Sequence, residues 1–277
     1  VFKDLFLTAT YGGDLYSINS NNGDVVQVIG VGENITTDLS LVDLTTTTLK
    51  SKGVVFGTEA GNIFCYDIFT FEMIWKINLS THSLISKPII VNDKIIFKNS
   101  LTSLYCVNVK SGLLIWKYDF KEKEGFSNNS NTLANGKSIF ALSTSGEINA
   151  LDLILGKKLW STNSFNVLPQ IVFSIDKQKL ILLSKEGEIL FISLKDGEQL
   201  DKIDLMKPGQ YSFITAENEE KVFIGFYDGS LYSIDKKNKV QQLTSPTNIP
   251  ITSIGFVKED EFIVNDVNGK ITFYKIK

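Results

Sequence analysis

One short pattern recurs seven times along the chain: a tight turn, then a strand that opens on a polar residue and continues with apolar ones. The first apolar residues of the copies lie 40 to 48 residues apart; they are Leu15, Ile63, Leu104, Ile148, Ile189, Leu231 and Ile271. A glycine precedes the strand in six copies, where a tight hairpin needs a residue with positive φ. Thr102-Ser103 stands there in the third copy. A period of this length is too long for a leucine-rich solenoid and is typical of a four-stranded propeller blade.

Further apolar strands lie between these copies, so that each repeat has four strands, A to D in chain order. We find no convincing amphipathic helix. Antiparallel units of this kind cannot bury both faces alone, so they stack radially and close into a ring. The sequence therefore predicts an all-β fold, a β-propeller of four-stranded antiparallel blades, with residues 1–277 as a single domain.

The two terminal repeats are incomplete in this sequence. The first has strands B, C and D at 5–10, 15–19 and 24–29, and the last has A, B and C at 251–257, 261–266 and 270–276. We expect that strand A of the first repeat and strand D of the last lie upstream of Val1. A seven-bladed ring needs only those strands, whereas an eight-bladed ring needs one more whole blade.

Several side chains occupy the same position in different repeats, which predicts structural roles for them. Trp75, Trp116 and Trp160 each lie twelve residues after the first apolar residue of their repeat, so we expect them to be buried at equivalent places between blades. Asp67, Asp152 and Asp235 follow the C strands at one repeat position, which favours a role in capping turns.

The two cysteines also share a register. Cys65 and Cys106 each lie two residues after the first apolar residue of their repeat. Equivalent positions in neighbouring blades are separated by a packed sheet layer of about 10 Å. Because a disulfide needs Cα atoms within about 7 Å, we predict two free thiols.

Composition excludes several classes of function. The 28 basic residues are all lysine and are outnumbered by 31 acidic ones, so the basic footprint of a nucleic-acid-binding protein is absent. Without arginine there can be no bidentate clamp on phosphate or carboxylate. A single histidine, His82, removes two-histidine metal sites and most acid–base schemes. No apolar run approaches a membrane span. We therefore expect no catalytic residue, no cofactor and no bound metal.

The segment Gly146-Glu-Ile-Asn-Ala-Leu-Asp-Leu-Ile-Leu-Gly-Lys-Lys-Leu-Trp160 resembles the quinoprotein-type, or PQQ-like, propeller repeat. The chain lacks the Trp-Asp and repeated Gly-His signatures of WD repeats. Enzymes of this family hold pyrroloquinoline quinone with calcium, a catalytic aspartate and often a vicinal disulfide. Here the cysteines are not adjacent, and no arginine is present to contact a quinone. The chain is more similar to the catalytically empty branch, the BamB family of outer-membrane β-barrel assembly scaffolds.

That resemblance implies a non-enzymatic periplasmic scaffold that binds the barrel-forming subunit of the assembly machinery. Family members begin with a lipidated cysteine, so a lipid anchor to the outer membrane is expected upstream of Val1. The family contacts its partner through two loops, which by repeat order correspond here to 80–87 and 121–131. The predicted partner-binding residues are Leu84, Ile85, Phe126, Asn128 and Asn129. Because the family's arginine and paired aspartates are missing, the contact is expected to use neutral hydrogen bonds.

Two other interpretations stay open at the level of sequence. One is a quinone-dependent dehydrogenase whose usual ligands have been lost or relocated. The other is a luminal sensor propeller of a eukaryote, for which the glycosylation patterns that begin at Asn34 and Asn78 are the relevant signal.

Overall fold

The structure is a computed structural model that describes residues 4–45, 51–120, 132–162, 165–205, 214–217, 220–258 and 261–275. These residues form seven antiparallel sheets that follow one another along the chain. Within each sheet the strands pair in chain order, so that every sheet is a simple meander. None of the described residues lies in a helix. The all-β fold class and the seven predicted repeats are therefore confirmed.

The first three sheets cover the chain up to residue 119. Sheet 1 contains β1 (Leu5–Ala9), β2 (Asp14–Asn19) and β3 (Val25–Gly30). Sheet 2 contains β4 (Ser40–Asp43), β5 (Lys52–Gly57), β6 (Asn62–Asp67) and β7 (Met73–Asn78). Sheet 3 contains β8 (Leu84–Val91), β9 (Lys94–Asn99), β10 (Ser103–Asn108) and β11 (Leu114–Asp119).

The remaining four sheets repeat the same order. Sheet 4 contains β12 (Thr132–Ala134), β13 (Ser138–Leu142), β14 (Ile148–Asp152) and β15 (Lys158–Ser161). Sheet 5 contains β16 (Val167–Phe173), β17 (Lys179–Ser184), β18 (Glu188–Ser193) and β19 (Gln199–Asp204). Sheet 6 contains β20 (Ile214–Glu217), β21 (Lys221–Gly225), β22 (Leu231–Asp235) and β23 (Val240–Thr244). Sheet 7 contains β24 (Ile251–Lys258), β25 (Glu261–Asp266) and β26 (Ile271–Lys275).

The two three-stranded sheets are the terminal ones, as the repeat pattern predicts. Sheet 1 has the B, C and D strands of a repeat, and sheet 7 has the A, B and C strands, within the described residues. The glycines predicted to open the B–C hairpins all have positive φ, between 76° and 95°. In these two terminal sheets the strand boundaries lie within about one residue of the sequence-based prediction.

The chain divides into two compact units. One comprises residues 1–144 and 149–159, and the other comprises residues 145–148 and 160–277. Organisation of the whole chain as a single domain stays a prediction.

Burial differs by strand position in a regular way. In sheets 2, 3 and 6 the B and C strands are apolar on both faces because a neighbouring sheet packs on each side. β6 and β10 are buried over five of their six residues. The D strands β7 and β11 are mostly exposed and bury one residue fully, their tryptophan. Packing of the B and C strands between neighbouring sheets therefore supplies most of the core.

The tryptophans link consecutive sheets, as the repeat position predicts. Their indole nitrogens donate hydrogen bonds to backbone carbonyls of the next sheet's C–D turn: Trp75 to Val109 (3.2 Å), Trp116 to Leu153 (3.0 Å) and Trp160 to Leu194 (3.1 Å). Trp75 and Trp116 are buried, and Trp160 is half-buried. Each ring lies against a glycine of the same turn, at Gly112, Gly156 and Gly197. A β-carbon at these glycines would come within 2.6–2.7 Å of the ring, so no larger residue fits.

The corresponding contact between sheets 1 and 2 uses a different pair of residues. By strand pairing Gln27 takes the place of the tryptophan, and its side-chain amide donates to the carbonyl of Thr70. Phe71 takes the place of the glycine, with a positive φ of 56°, and packs into the apolar cluster of these sheets. Gln27 of sheet 1 is smaller than the tryptophan of the other sheets, and Phe71 of sheet 2 is larger than the glycine, so the one change compensates for the other.

The predicted state of the cysteines is also confirmed. Cys65 and Cys106 are both free and buried, and they belong to separate apolar clusters. Burial raises the pKa of each thiol to about 12.

Candidate partner-binding face

The first predicted loop is shorter than the sequence suggests. β7 ends at Asn78 and β8 begins at Leu84, so the loop comprises residues 79–83. Within it the Ser80 side chain is buried. Its hydroxyl oxygen accepts hydrogen bonds from the His82 backbone N–H (3.0 Å) and from the Asn99 side-chain amide (3.3 Å). His82 itself is exposed, with a ring nitrogen 3.2 Å from the Thr81 hydroxyl. The loop therefore exposes Thr81 and His82, while Ser80 is held in place by its hydrogen bonds.

Placement of Leu84 and Ile85 in an exposed loop is wrong. Both lie in β8 and are buried, with 0% and 9% of their surface exposed. Leu84 packs into the cluster shared by sheets 2 and 3, and Ile85 packs into the cluster shared by sheets 3 and 4. The reason is that the A strand begins four residues earlier than expected, at residue 84 and not at 88. Neither side chain presents a surface to a partner in this structure.

The second predicted loop falls largely outside the described residues. Phe126, Asn128 and Asn129 lie in the segment 121–131, of which the structure describes nothing. Phe120, which borders the segment, is buried and makes an edge-to-face contact with Tyr118 at 4.9 Å between ring centroids. Phe120 therefore belongs to the core, as Leu84 and Ile85 do.

A charged cluster joins the D–A loop of sheet 1 to sheet 2 at the end where the B–C turns lie. The Glu33 carboxylate accepts hydrogen bonds from the Thr58 hydroxyl (2.7 Å), the Asn62 amide (2.8 Å) and the Lys76 ammonium (2.8 Å). Burial alone would raise the pKa of Glu33, but hydrogen bonds from Lys76, Asn62 and Thr58 hold it below the usual range. The carboxylate is therefore ionised at neutral pH and fixes this loop against the neighbouring sheet.

Both asparagines of the predicted glycosylation patterns donate side-chain hydrogen bonds at this end of the sheets. The Asn34 amide donates to Glu59 (2.7 Å), which also accepts from the Tyr11 hydroxyl (3.1 Å). The Asn78 amide donates to the Asn62 side chain (2.8 Å). Asn78 is exposed and Asn34 is half-buried.

Sequence reasoning missed a set of exposed apolar side chains at the C–D turns of sheets 2 to 4. We call it the rim patch: Phe69, Leu113, Ile154 and Leu155, each between 47% and 66% exposed. The neighbouring turn aspartates behave as predicted, since Asp67 and Asp152 each accept two backbone N–H groups of their own turn. For Phe69, Ile154 and Leu155 the available signal was an apolar residue two or three positions after a turn-capping aspartate, because turn tips are normally polar.

Lys98 is the one lysine of the described residues that is fully buried. It lies in β9, and burial lowers its pKa to about 8.

A quinone with calcium is the cofactor implied by the enzymatic branch of the repeat family, and the described residues do not fit it. They contain no group of three or more His, Cys, Asp or Glu side chains that could hold a metal ion. Cys65 and Cys106 are separate, free thiols and not the vicinal disulfide of those enzymes. In the same described residues, no helix has the length and apolar character required to cross a bilayer.

Comparison with known proteins agrees with this fold. The family described as outer membrane protein assembly factor BamB matches residues 46–167. A curated relative, a putative BTB/POZ domain and WD-repeat protein of Acanthamoeba polyphaga mimivirus, is 21% identical over 239 residues, 80% of this chain. The chain spans about half the length of that relative, 47%.

Two solved structures share the fold at low sequence identity. BamB from Moraxella catarrhalis superposes with a TM-score of 0.58 at 15% identity, over 99% of this chain and 95% of its own. The C-terminal WD40 domain of Sif2 superposes with a TM-score of 0.73 at 13% identity, over 98% of this chain and 78% of its own. By its repeat sequence and its fold, the chain is a β-propeller with PQQ-like repeats that resembles the assembly factor BamB.

Proposed function

We propose that this protein is a non-enzymatic scaffold of the periplasm that binds a protein partner, as a BamB-like subunit of the outer-membrane β-barrel assembly machinery. The observation that carries the proposal is the match of residues 46–167 to the BamB family. The fold agrees with this, because BamB from Moraxella catarrhalis superposes over 99% of this chain with a TM-score of 0.58.

The partner in this proposal is the barrel-forming subunit, and the proposed contact residues come from loop 79–83 and from segment 121–131. Thr81 and His82 replace Leu84 and Ile85 as the first loop's contact residues, because they are exposed. Phe126, Asn128 and Asn129 remain the proposed contacts of the second segment. An apolar or aromatic anchor such as Phe126 would contribute most of the binding energy.

A pull-down with the barrel-forming subunit tests the partner and the face together. The double variant His82→Glu/Phe126→Glu places two negative charges on the proposed face, and it should reduce binding at least about tenfold with an unchanged melting temperature. Ile154→Ser/Leu155→Ser in the rim patch is the matched control and should bind as the wild type does. Loss of binding in the control alone would move the contact to the rim patch. No capture of the subunit by the wild-type chain would refute the assembly role.

Two separate measurements address the non-enzymatic role and the location. Incubation with pyrroloquinoline quinone and calcium should give no dye reduction with alcohol or sugar substrates, and turnover would refute the scaffold assignment. Fractionation of native cells should recover the protein with periplasmic or outer-membrane material. Recovery in the cytosol would contradict the proposed location.

A further inference from the structure

The rim patch lies on sheets that have all four strands. It occupies the C–D turns of sheets 2, 3 and 4, and its four side chains, Phe69, Leu113, Ile154 and Leu155, are exposed. Apolar character continues into the outer strands that follow these turns, where the exposed side chains are Met73, Ile74, Leu114, Ile115 and Leu159. A cluster of exposed apolar groups of this kind marks a contact site.

Contacts between the sheets hold these turns side by side. Trp75 of sheet 2 donates to the Val109 carbonyl in the turn of sheet 3, and Trp116 of sheet 3 donates to the Leu153 carbonyl in the turn of sheet 4. The Leu153 N–H in turn donates to the Lys137 carbonyl in the A–B turn of its own sheet (2.9 Å). Because packed sheets are about 10 Å apart, three consecutive turns present a row of apolar tips about 20 Å long. Tips that are already fixed lose little conformational freedom on binding.

Positive charge accompanies the apolar tips of sheets 3 and 4. The exposed lysines in the A–B and C–D turns of these two sheets are Lys110, Lys137, Lys157 and Lys158. The Lys110 ammonium donates to the Thr45 carbonyl (3.2 Å). The acidic groups at this end of the two sheets are already engaged: Asp152 accepts N–H groups of its own turn, and Asp93 pairs with Lys94 (2.6 Å). Positive charge therefore exceeds negative charge beside the apolar tips.

We propose that the rim patch docks on the surface of an anionic phospholipid bilayer, with its apolar tips among the headgroups and the flanking lysines on lipid phosphates. Apolar side chains combined with lysines are the composition of interfacial membrane contacts. A second copy of the chain fits this charge less well, because a two-fold contact would place the lysines of one patch against those of the other. The patch also has no tyrosine, tryptophan or arginine, which protein interfaces favour. The inference does not depend on the proposed assembly role.

Co-sedimentation of the full chain with lipid vesicles tests the charge. The wild type should bind mixed phosphatidylcholine–phosphatidylglycerol vesicles more tightly than vesicles of phosphatidylcholine alone, and added salt should reduce the difference. Lys157→Gln/Lys158→Gln should weaken binding to the mixed vesicles at least about tenfold, since each lysine near an anionic surface contributes about fivefold. Lys236→Gln/Lys237→Gln is the matched control: these lysines are exposed in the C–D turn of sheet 6, which has no apolar residue. The control should bind as the wild type does.

A second set of variants tests the apolar tips. Ile154→Ser/Leu155→Ser keeps the lysines but should weaken binding to the mixed vesicles at least about tenfold. Leu101→Ser, in the exposed B–C turn of sheet 3, is the control and should have no effect. Because Cys65 and Cys106 are buried, an environment-sensitive dye attached to a Leu155→Cys variant reports on that position alone. Its emission should shift to the blue when vesicles are added, and the same dye at Leu101→Cys should not shift. Melting curves check that all variants fold.

Four outcomes would overturn the inference. Equal vesicle binding by the wild type and by both rim variants, or no blue shift at Leu155→Cys, would show that the patch does not contact lipid. Light scattering that finds a dimer dissociated by Ile154→Ser/Leu155→Ser would assign the patch to a second copy of the chain. Loss of subunit capture by this variant, with unchanged vesicle binding, would assign it to a protein partner. A wild-type chain that captures the barrel-forming subunit but binds no vesicles would refute the lipid contact and leave the proposed function intact.

Discussion

The contact between Trp116 and Gly156 allows a quantitative test of how consecutive sheets are joined. The indole of Trp116 is buried and donates to the Leu153 carbonyl, 3.0 Å away. Gly156 has φ of +67°, and a β-carbon there would lie 2.6 Å from Cδ2 of the ring. Gly156→Ala should therefore cost about 1–2 kcal/mol for the left-handed backbone. Overpacking against the ring should add about 1–3 kcal/mol.

Removal of the ring separates these two contributions. Trp116→Ala alone should destabilise the fold by about 3–5 kcal/mol, the range for truncation of a buried large aromatic side chain. In that background the methyl group of Gly156→Ala enters free space, so only the backbone cost of about 1–2 kcal/mol remains. The double variant should thus be more stable than the sum of the single variants predicts, by about 1–3 kcal/mol.

Urea unfolding followed by far-UV circular dichroism measures the cycle, because the signal does not depend on the deleted tryptophan. The transition of the unit that contains residues 1–144 and 149–159 is the relevant one. Trp75→Ala combined with Gly156→Ala is the control. Trp75 lies against Gly112, so these two changes should be additive within about 0.5 kcal/mol. Additivity of the Trp116 and Gly156 changes would refute the proposed packing contact.

Four further predictions concern repeat positions. Burial raises the pKa of Cys65 and Cys106 to about 12, so the native thiols should not react with Ellman's reagent at about pH 8, whereas two react after denaturation. Thiols of the unfolded chain ionise at a lower pH than these buried ones, so the free energy of unfolding should fall as the pH rises above about 9. A urea midpoint that rises over this pH range would contradict the prediction. Gln27→Trp should lower the melting temperature because Phe71 occupies the space, and adding Phe71→Gly should restore it. Asp152→Ala should cost about 1 kcal/mol and Asp152→Asn much less, because the asparagine oxygen can still accept the turn N–H groups.

The order and limits of the strands could be predicted from sequence, because they depend on local signals. Alternating apolar residues and hairpin glycines at a fixed period recur in every repeat, so the strands of the terminal repeats were placed within about one residue. The same register predicted the environments of Trp116 and Cys65, since equivalent positions in stacked sheets meet equivalent neighbours.

The environments of residues outside the repeat register could not be predicted from sequence, because they depend on tertiary contacts. Leu84 and Ile85 follow a polar loop, and nothing local distinguishes a loop residue from the first residue of an A strand. They are buried because sheets on both sides pack against β8. The match of Gln27 with Phe71 and the hydrogen bonds around Glu33 each join residues about 25 to 44 positions apart in the chain. Which side chain fits at such a position depends on the space and the charge that the neighbouring sheet presents to it. Both are defined only after the sheets have packed together.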